Sequence, residues 1–191
     1  MRTKLDELLD LIRPQRVIEE TFNRANEAIN TFPIRVAQIR DWDGFCSCMV
    51  AFLRHVDGRT LRLRGPVGDD EFLWLRCAQI LHRIYGTSGE KTAFEMARTG
   101  NEGGLRKVLT AVAMHLAEEY SRSEIAGRVS AYWENLSVAE QLDATSEYLA
   151  KYGHLLPWEL TEGTAARLRG NFPKVLEEHP RMLQRLGRVG R

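Results

Sequence analysis

The sequence predicts a mostly α-helical protein, a single-domain bundle of roughly six to eight helices. Three observations carry this expectation. Apolar residues recur at three- and four-residue spacings along most of the chain, the period of a one-sided helix. Start and stop residues punctuate those stretches, most clearly the capping box Ser137-Val-Ala-Glu140 and the stops at Gly86 and Gly153. Alternation of period two is confined to short stretches, so the only β structure expected is a short two-stranded element near 34–40 and 60–64.

Residues 3–30 place Leu5, Leu8, Leu9 and Ile12, then Val17, Ile18, Phe22, Ala25 and Ile29, on helical spacing. Pro14 lacks a backbone N–H and disfavours a helical residue before it, so this stretch reads as two short helices or one bent one. From Phe45 through Cys48, Met49, Phe52, Leu53 and Val56 runs a single stripe, ended by Asp57-Gly58. Arg59 to Arg64 alternates Arg62 and Arg64 with Leu61 and Leu63, and reads as an extended arm closed by Gly65-Pro66. Asp69 or Asp70 caps a helix that buries Leu73, Trp74, Cys77, Ile80, Leu81 and Ile84.

Residues 86–104 carry five glycines around a short helix near 90–98 and read as a connector or binding loop. The clearest stripe follows, from Leu105 to Tyr120, and continues over 123–135. The capping box then opens a helix that stops at Gly153, and Leu155-Leu156-Pro157-Trp158 reads as a turn with apolar anchors. From Thr161 onward the pattern gives short helical pieces interrupted by Pro173 and Pro180. The expected division is therefore a helical part at 1–85, the connector at 86–104, a bundle at 105–160 and a basic helical tail at 161–191.

With 191 residues, 43% hydrophobic and 28% charged, the chain is long enough and apolar enough for a sizeable core. A net charge of +1 gives no global attraction to nucleic acid or anionic membrane. The N-terminus carries charge from Arg2 onward and lacks an apolar signal segment, and the longest nearly apolar run, Phe45 to Leu53, falls short of the ~18 residues of a membrane span. Three cysteines are an odd number with no disulfide spacing, so a cytoplasmic protein with reduced thiols is expected.

Four short stretches invite a chemical reading. Asp41-Trp42-Asp43-Gly44, with Gly68-Asp69-Asp70 behind it, resembles the acidic motifs of haloacid-dehalogenase-type phosphatases, where the first Asp is the nucleophile. That family sets its motifs at the ends of parallel strands, whereas here each Asp precedes an amphipathic helix and fits a cap. Gly86-Thr-Ser-Gly89-Glu90-Lys91-Thr92 resembles a phosphate-binding loop but has Glu90 where that loop needs glycine before the lysine. Tyr120 to Val129 resembles the second helix of a helix-turn-helix, without the turn glycine and followed by Glu140, Asp143 and Glu147, which phosphate repels. Arg76 and His82 fit the spacing of the Arg/His pair of HEPN-type helical ribonucleases, and that resemblance implies RNA cleavage with Arg76 and His82 as catalytic residues. No metal or other cofactor is expected. Cys46 and Cys48 lie about 200° apart around a helix, and Cys77 and His82 lack partners.

Charge is unevenly laid out. Glu118, Glu119, Glu124, Glu134, Glu140, Asp143 and Glu147 face only Arg122 and Arg128 over 116–147, whereas Arg167, Arg169, Lys174, Arg181, Arg185, Arg188 and Arg191 dominate the chain's end. The tail can fold onto the acidic helices, dock on another copy or a larger complex, or hold nucleic acid together with Arg59, Arg62 and Arg64. The expected function is thus a non-enzymatic interaction protein, an adaptor or small subunit of a larger assembly with a protein partner or self-association. A nucleic-acid-binding subunit and a HEPN-like ribonuclease are the alternatives.

Overall fold

The computed structural model describes residues 2–13, 15–34, 39–58 and 68–189. Its helices are α1 (Lys4–Ile12), α2 (Gln15–Thr31), α3 (Trp42–Gly58), α4 (Asp70–Tyr85), α5 (Gly89–Thr99), α6 (Asn101–Glu134), α7 (Val138–Tyr152), α8 (Trp158–Asn171), α9 (Pro173–Glu178) and α10 (Pro180–Leu186). A 3-10 turn, Gly153–Leu155, links α7 to α8. The mostly α expectation holds, with more helical segments than six to eight. Prolines account for the excess, since Pro173 and Pro180 each restart a helix at its first turn. No strand occurs among the described residues. The expected β positions 60–64 and 35–38 lie outside them, and Ile34, Ile39 and Arg40 are not in a strand.

The chain divides into two compact units. One is residues 15–124, the middle unit; the other joins the N-terminal residues before Gln15 to the chain from Ile125 onward, the terminal unit. The boundary between the units falls inside α6.

In the middle unit, α3 is the central buried helix. Phe45, Met49, Phe52, Leu53 and Val56 are fully buried at three- and four-residue spacing. Asp41 starts this helix, its Oδ1 accepting from the Gly44 N–H at 2.8 Å, so the acidic tetrapeptide acts as a cap. Asp69 does the same for α4, accepting from the Phe72 N–H. Leu73, Cys77, Ile80 and Leu81 of α4 and Leu105, Val108, Leu109, Val112 and Ala113 of α6 close the core. Trp42 sits edge-on to Trp74 and Phe94, with ring centroids 5.6 and 5.5 Å apart.

The glycine-rich 86–104 segment is mostly helix: the short helix expected near 90–98 is α5, and Asn101–Gly104, read as loop, is the first turn of α6. Two of its glycines permit close packing rather than looping. A Cβ at Gly89 would overlap the Leu81 carbonyl, and one at Gly104 would overlap the Met96 carbonyl. Only Gly86, at φ 86°, takes the left-handed conformation that glycine favours; Asn101, at φ 49°, makes the turn between α5 and α6.

In the terminal unit, α7 is central. Both its own capping box, Ser137 with Glu140, and that of α1, Thr3 with Asp6, are complete. Leu142 and Leu149 of α7 pack with Ala165, Leu176, Met182, Leu186 and Val189. The residues expected to form a tail therefore supply most of this core.

Candidate functional site

The predicted catalytic pair does not converge. Arg76 and His82 lie about 120° apart around α4 and nearly two turns apart along it. The Arg76 guanidinium donates to Glu119 Oε2 of α6, half-buried, while His82 is exposed with no side-chain partner among the described residues. The group that does converge is Arg76, Arg83, His115 and Glu119. Arg83 donates to Glu119 Oε1 at 2.6 Å, and His115 Nε2 lies 3.3 Å from the same oxygen without hydrogen-bond geometry. Both carboxylate oxygens of Glu119 accept from a guanidinium, and the cluster ties α4 to α6. Its sequence signal was the seven-residue spacing of Arg76 and Arg83 and the four-residue spacing of His115 and Glu119.

The thiols are poor nucleophiles. Burial, with Asp43 adding to it at Cys46, pushes Cys46 up to about 11, and burial does the same to Cys48. Burial pushes Cys77 higher still. The thiolate is the reactive form, and at neutral pH all three stay protonated. Among the described residues no group of three His, Cys, Asp or Glu side chains could hold a metal ion. No helix among them is long and apolar enough to cross a membrane.

The basic residues of the chain's end divide into two sets. Arg185 donates to Asp143 of α7 at 2.5 Å, half-buried, and α10 packs on α7. Arg169 donates to the Leu186 carbonyl and approaches Glu162. Arg167, Lys174, Arg181 and Arg188 are exposed and have no side-chain partner among the described residues. Arg59, Arg62 and Arg64, expected to join them, lie outside the described residues, as does Arg191.

The feature that the sequence reading missed lies where α7 gives way to α8. Leu155, Trp158 and Leu160 are 71%, 58% and 56% exposed. Leu155 and Trp158, expected as apolar anchors of this turn, are presented to solvent. An exposed tryptophan close in sequence to two exposed leucines puts large apolar side chains in contact with solvent. The turn that presents them is held from below. Thr161 Oγ1 donates to the Gly153 carbonyl at 3.1 Å and to that of Pro157 at 3.3 Å, and the Leu156 N–H donates to Gly153. Pro157 is the N-cap of α8, so Trp158 sits in its first turn.

Two clefts open in this unit. One, of about 420 Å³, lies between α7 and the α9–α10 junction and is lined by Ala139, Glu140, Asp143, Glu178, His179, Pro180, Arg181 and Met182. The other, of about 280 Å³, is lined by Leu149, Ala150, Gly153, His154, Trp158, Thr161, Arg188 and Val189, and so adjoins the exposed aromatic. Comparison with protein-family models, curated proteins and solved structures gave no match to this chain.

Proposed function

We propose that this chain is a non-enzymatic interaction protein, an adaptor or small helical subunit of a larger cytoplasmic assembly, that binds a protein partner through its terminal unit. The carrying observation is the exposure of Leu155, Trp158 and Leu160 within six residues, beside a turn fixed by Thr161. Burying such side chains against a partner gains about 1.5–3 kcal/mol each, and solvent exposure forgoes that gain. The pairing of Arg76 with Glu119 and the protonated thiols support the non-enzymatic part of the reading.

The test places a photo-crosslinking side chain at Leu155 and reads the products in cells. A protein adduct that disappears on Trp158→Ser is the expected result. Size-exclusion chromatography with light scattering and absorbance at low and high salt reads the alternative. A peak rich in nucleic acid that strips with salt would replace this reading with a nucleic-acid-binding subunit using Arg167, Lys174, Arg181 and Arg188, extended by Arg59, Arg62 and Arg64.

A further inference from the structure

The partner's chemistry can be read from the smaller cleft, on the premise that the terminal unit binds a protein. Its floor is apolar and closed: Leu149, Gly153 and Val189 are buried, and a Cβ at Gly153 would press against Thr161 Cγ2 at 2.9 Å. Trp158 forms an exposed wall. Among the described residues, the ionisable side chains lining it are Arg188 and His154, both exposed and neither with a side-chain partner among them. Among the described residues no carboxylate lines it; Glu147 pairs with Lys151, Glu162 approaches Arg169, and Glu159, next to Trp158 in sequence, is exposed outside the cleft lining. The larger cleft differs in this respect. It mixes Glu140, Asp143 and Glu178 with Arg181 and His179, and selects neither sign of charge.

We propose that the cleft beside Trp158 receives one apolar side chain from an acidic segment of a partner protein. The apolar group packs against Trp158 over Leu149 and Val189, and a carboxylate flanking it pairs with Arg188. Size agrees with this occupant: about 280 Å³ lies just below the ~300–1,000 Å³ of sites that hold whole small molecules, and suits a single leucine or phenylalanine side chain. Charge agrees as well. One arginine beside an aromatic matches a carboxylate-bearing peptide, whereas a nucleic-acid strand requires cations spaced along its backbone.

The full-length, nitrogen-15-labelled protein is titrated with two short synthetic peptides that share a central leucine-phenylalanine pair. One is flanked by glutamates, the other by lysines. The Trp158 indole resonance, assigned by its loss in Trp158→Phe, is the readout. The glutamate peptide is expected to shift it and to bind at least about tenfold more tightly than its lysine twin, with the difference shrinking in salt. Arg188→Glu is expected to abolish or reverse that preference while leaving the thermal unfolding midpoint unchanged, since Arg188 is exposed and unpaired. Equal binding of the two peptides would overturn the proposal. So would a Trp158 shift produced only by a single-stranded oligonucleotide or by phosphatidylserine vesicles, or no shift with either peptide. A crosslinked protein at Leu155 combined with no preference between the peptides would remove the acidic-segment assignment and leave the interaction reading standing. Loss of both would remove both.

Discussion

The two units solve the problem of covering apolar surface in opposite ways. In the middle unit, α3 is packed among its neighbours, and its aromatic residues meet edge to face within the same unit: Phe32 with Phe52, Phe45 with Trp74, Trp42 with Trp74. Its large ion-pair cluster around Glu119 joins two helices of that unit. In the terminal unit the core is smaller and made of aliphatic side chains and one methionine, its helices are short, and proline restarts two of them. There Leu155, Trp158 and Leu160 remain outside. The middle unit therefore rests on a large core, although Phe72 and Leu75 stay exposed there too, whereas caps, ion pairs and a modest core share the task in the terminal unit.

The contrast breaks most sharply on core truncation. Phe52→Ala in the middle unit should cost about 3–5 kcal/mol, because the enclosed site cannot collapse around the lost ring. Leu186→Ala in the terminal unit should cost about 2–3 kcal/mol, at the low end for a buried leucine, because half-exposed neighbours such as Phe172 and Val175 can move in. Denaturant unfolding read by hydrogen exchange in peptides from each unit checks both values. Equal costs would erase the distinction.

Glycines in the middle unit give the next effect. Gly104→Ala should destabilise by about 1–3 kcal/mol, since its Cβ meets the Met96 carbonyl. Its neighbour Gly103 faces open space, and Gly103→Ala should stabilise by about 0.5–1 kcal/mol through helix propensity alone. Thermal unfolding of the two variants should move in opposite directions, and a shift of the same sign would refute the close-packing account of Gly104.

Proton linkage sharpens the comparison by direction. In the terminal unit the Thr3 backbone N–H holds Asp6 below the usual carboxylate range, the Tyr132 hydroxyl and then Lys4 hold Glu7 down, and the Ser137 backbone N–H holds Glu140 down. Their contribution is present above the ordinary carboxylate value and lost as pH falls through the depressed ones. In the middle unit the raised thiols of Cys46 and Cys48 act in the other direction. Their contribution is present below the ordinary value of 9.0 and lost as pH rises toward about 11. Lys4 and Lys151, raised mainly by hydrogen bonds to Glu7 and Glu147, add an alkaline loss to the terminal unit only beyond the usual lysine value of 10.5. Hydrogen exchange across pH should show the terminal unit loosening first in acid and the middle unit first in mild base. The smallest stability effect belongs to Trp158→Ser, expected within about 0.5 kcal/mol because the side chain is mostly outside, although partner capture is lost.

Most of the secondary structure could be read from residue order. The caps at Asp41, Asp69 and Ser137, the break at Pro14, the stop at Gly86 and the stripe from Leu105 to Leu116 all fall where the sequence puts them. Local chemistry decides each of these, within one helical turn, so a single sequence carries the information. The glycines of 86–104 misled because composition cannot distinguish a glycine that loosens the backbone from one that admits another helix; the Met96 and Leu81 carbonyls that decide the matter come from outside the residue's own turn. The candidate site was the least legible part. Leucine and tryptophan around Pro157 have the same composition whether they enter a core or leave it.

The sequence by itself determined where helices begin and end and which face of each is apolar, because capping and amphipathic spacing act over three or four residues. Tertiary structure alone decided which of those faces find a partner. It set Arg185 against Asp143 across 42 positions and Arg76 against Glu119 across 43, and made the basic end of the chain part of a core. It also left Trp158 uncovered. Burial and ion pairing depend on which distant side chains arrive at the same place, and that is a property of the packed chain rather than of any stretch of it.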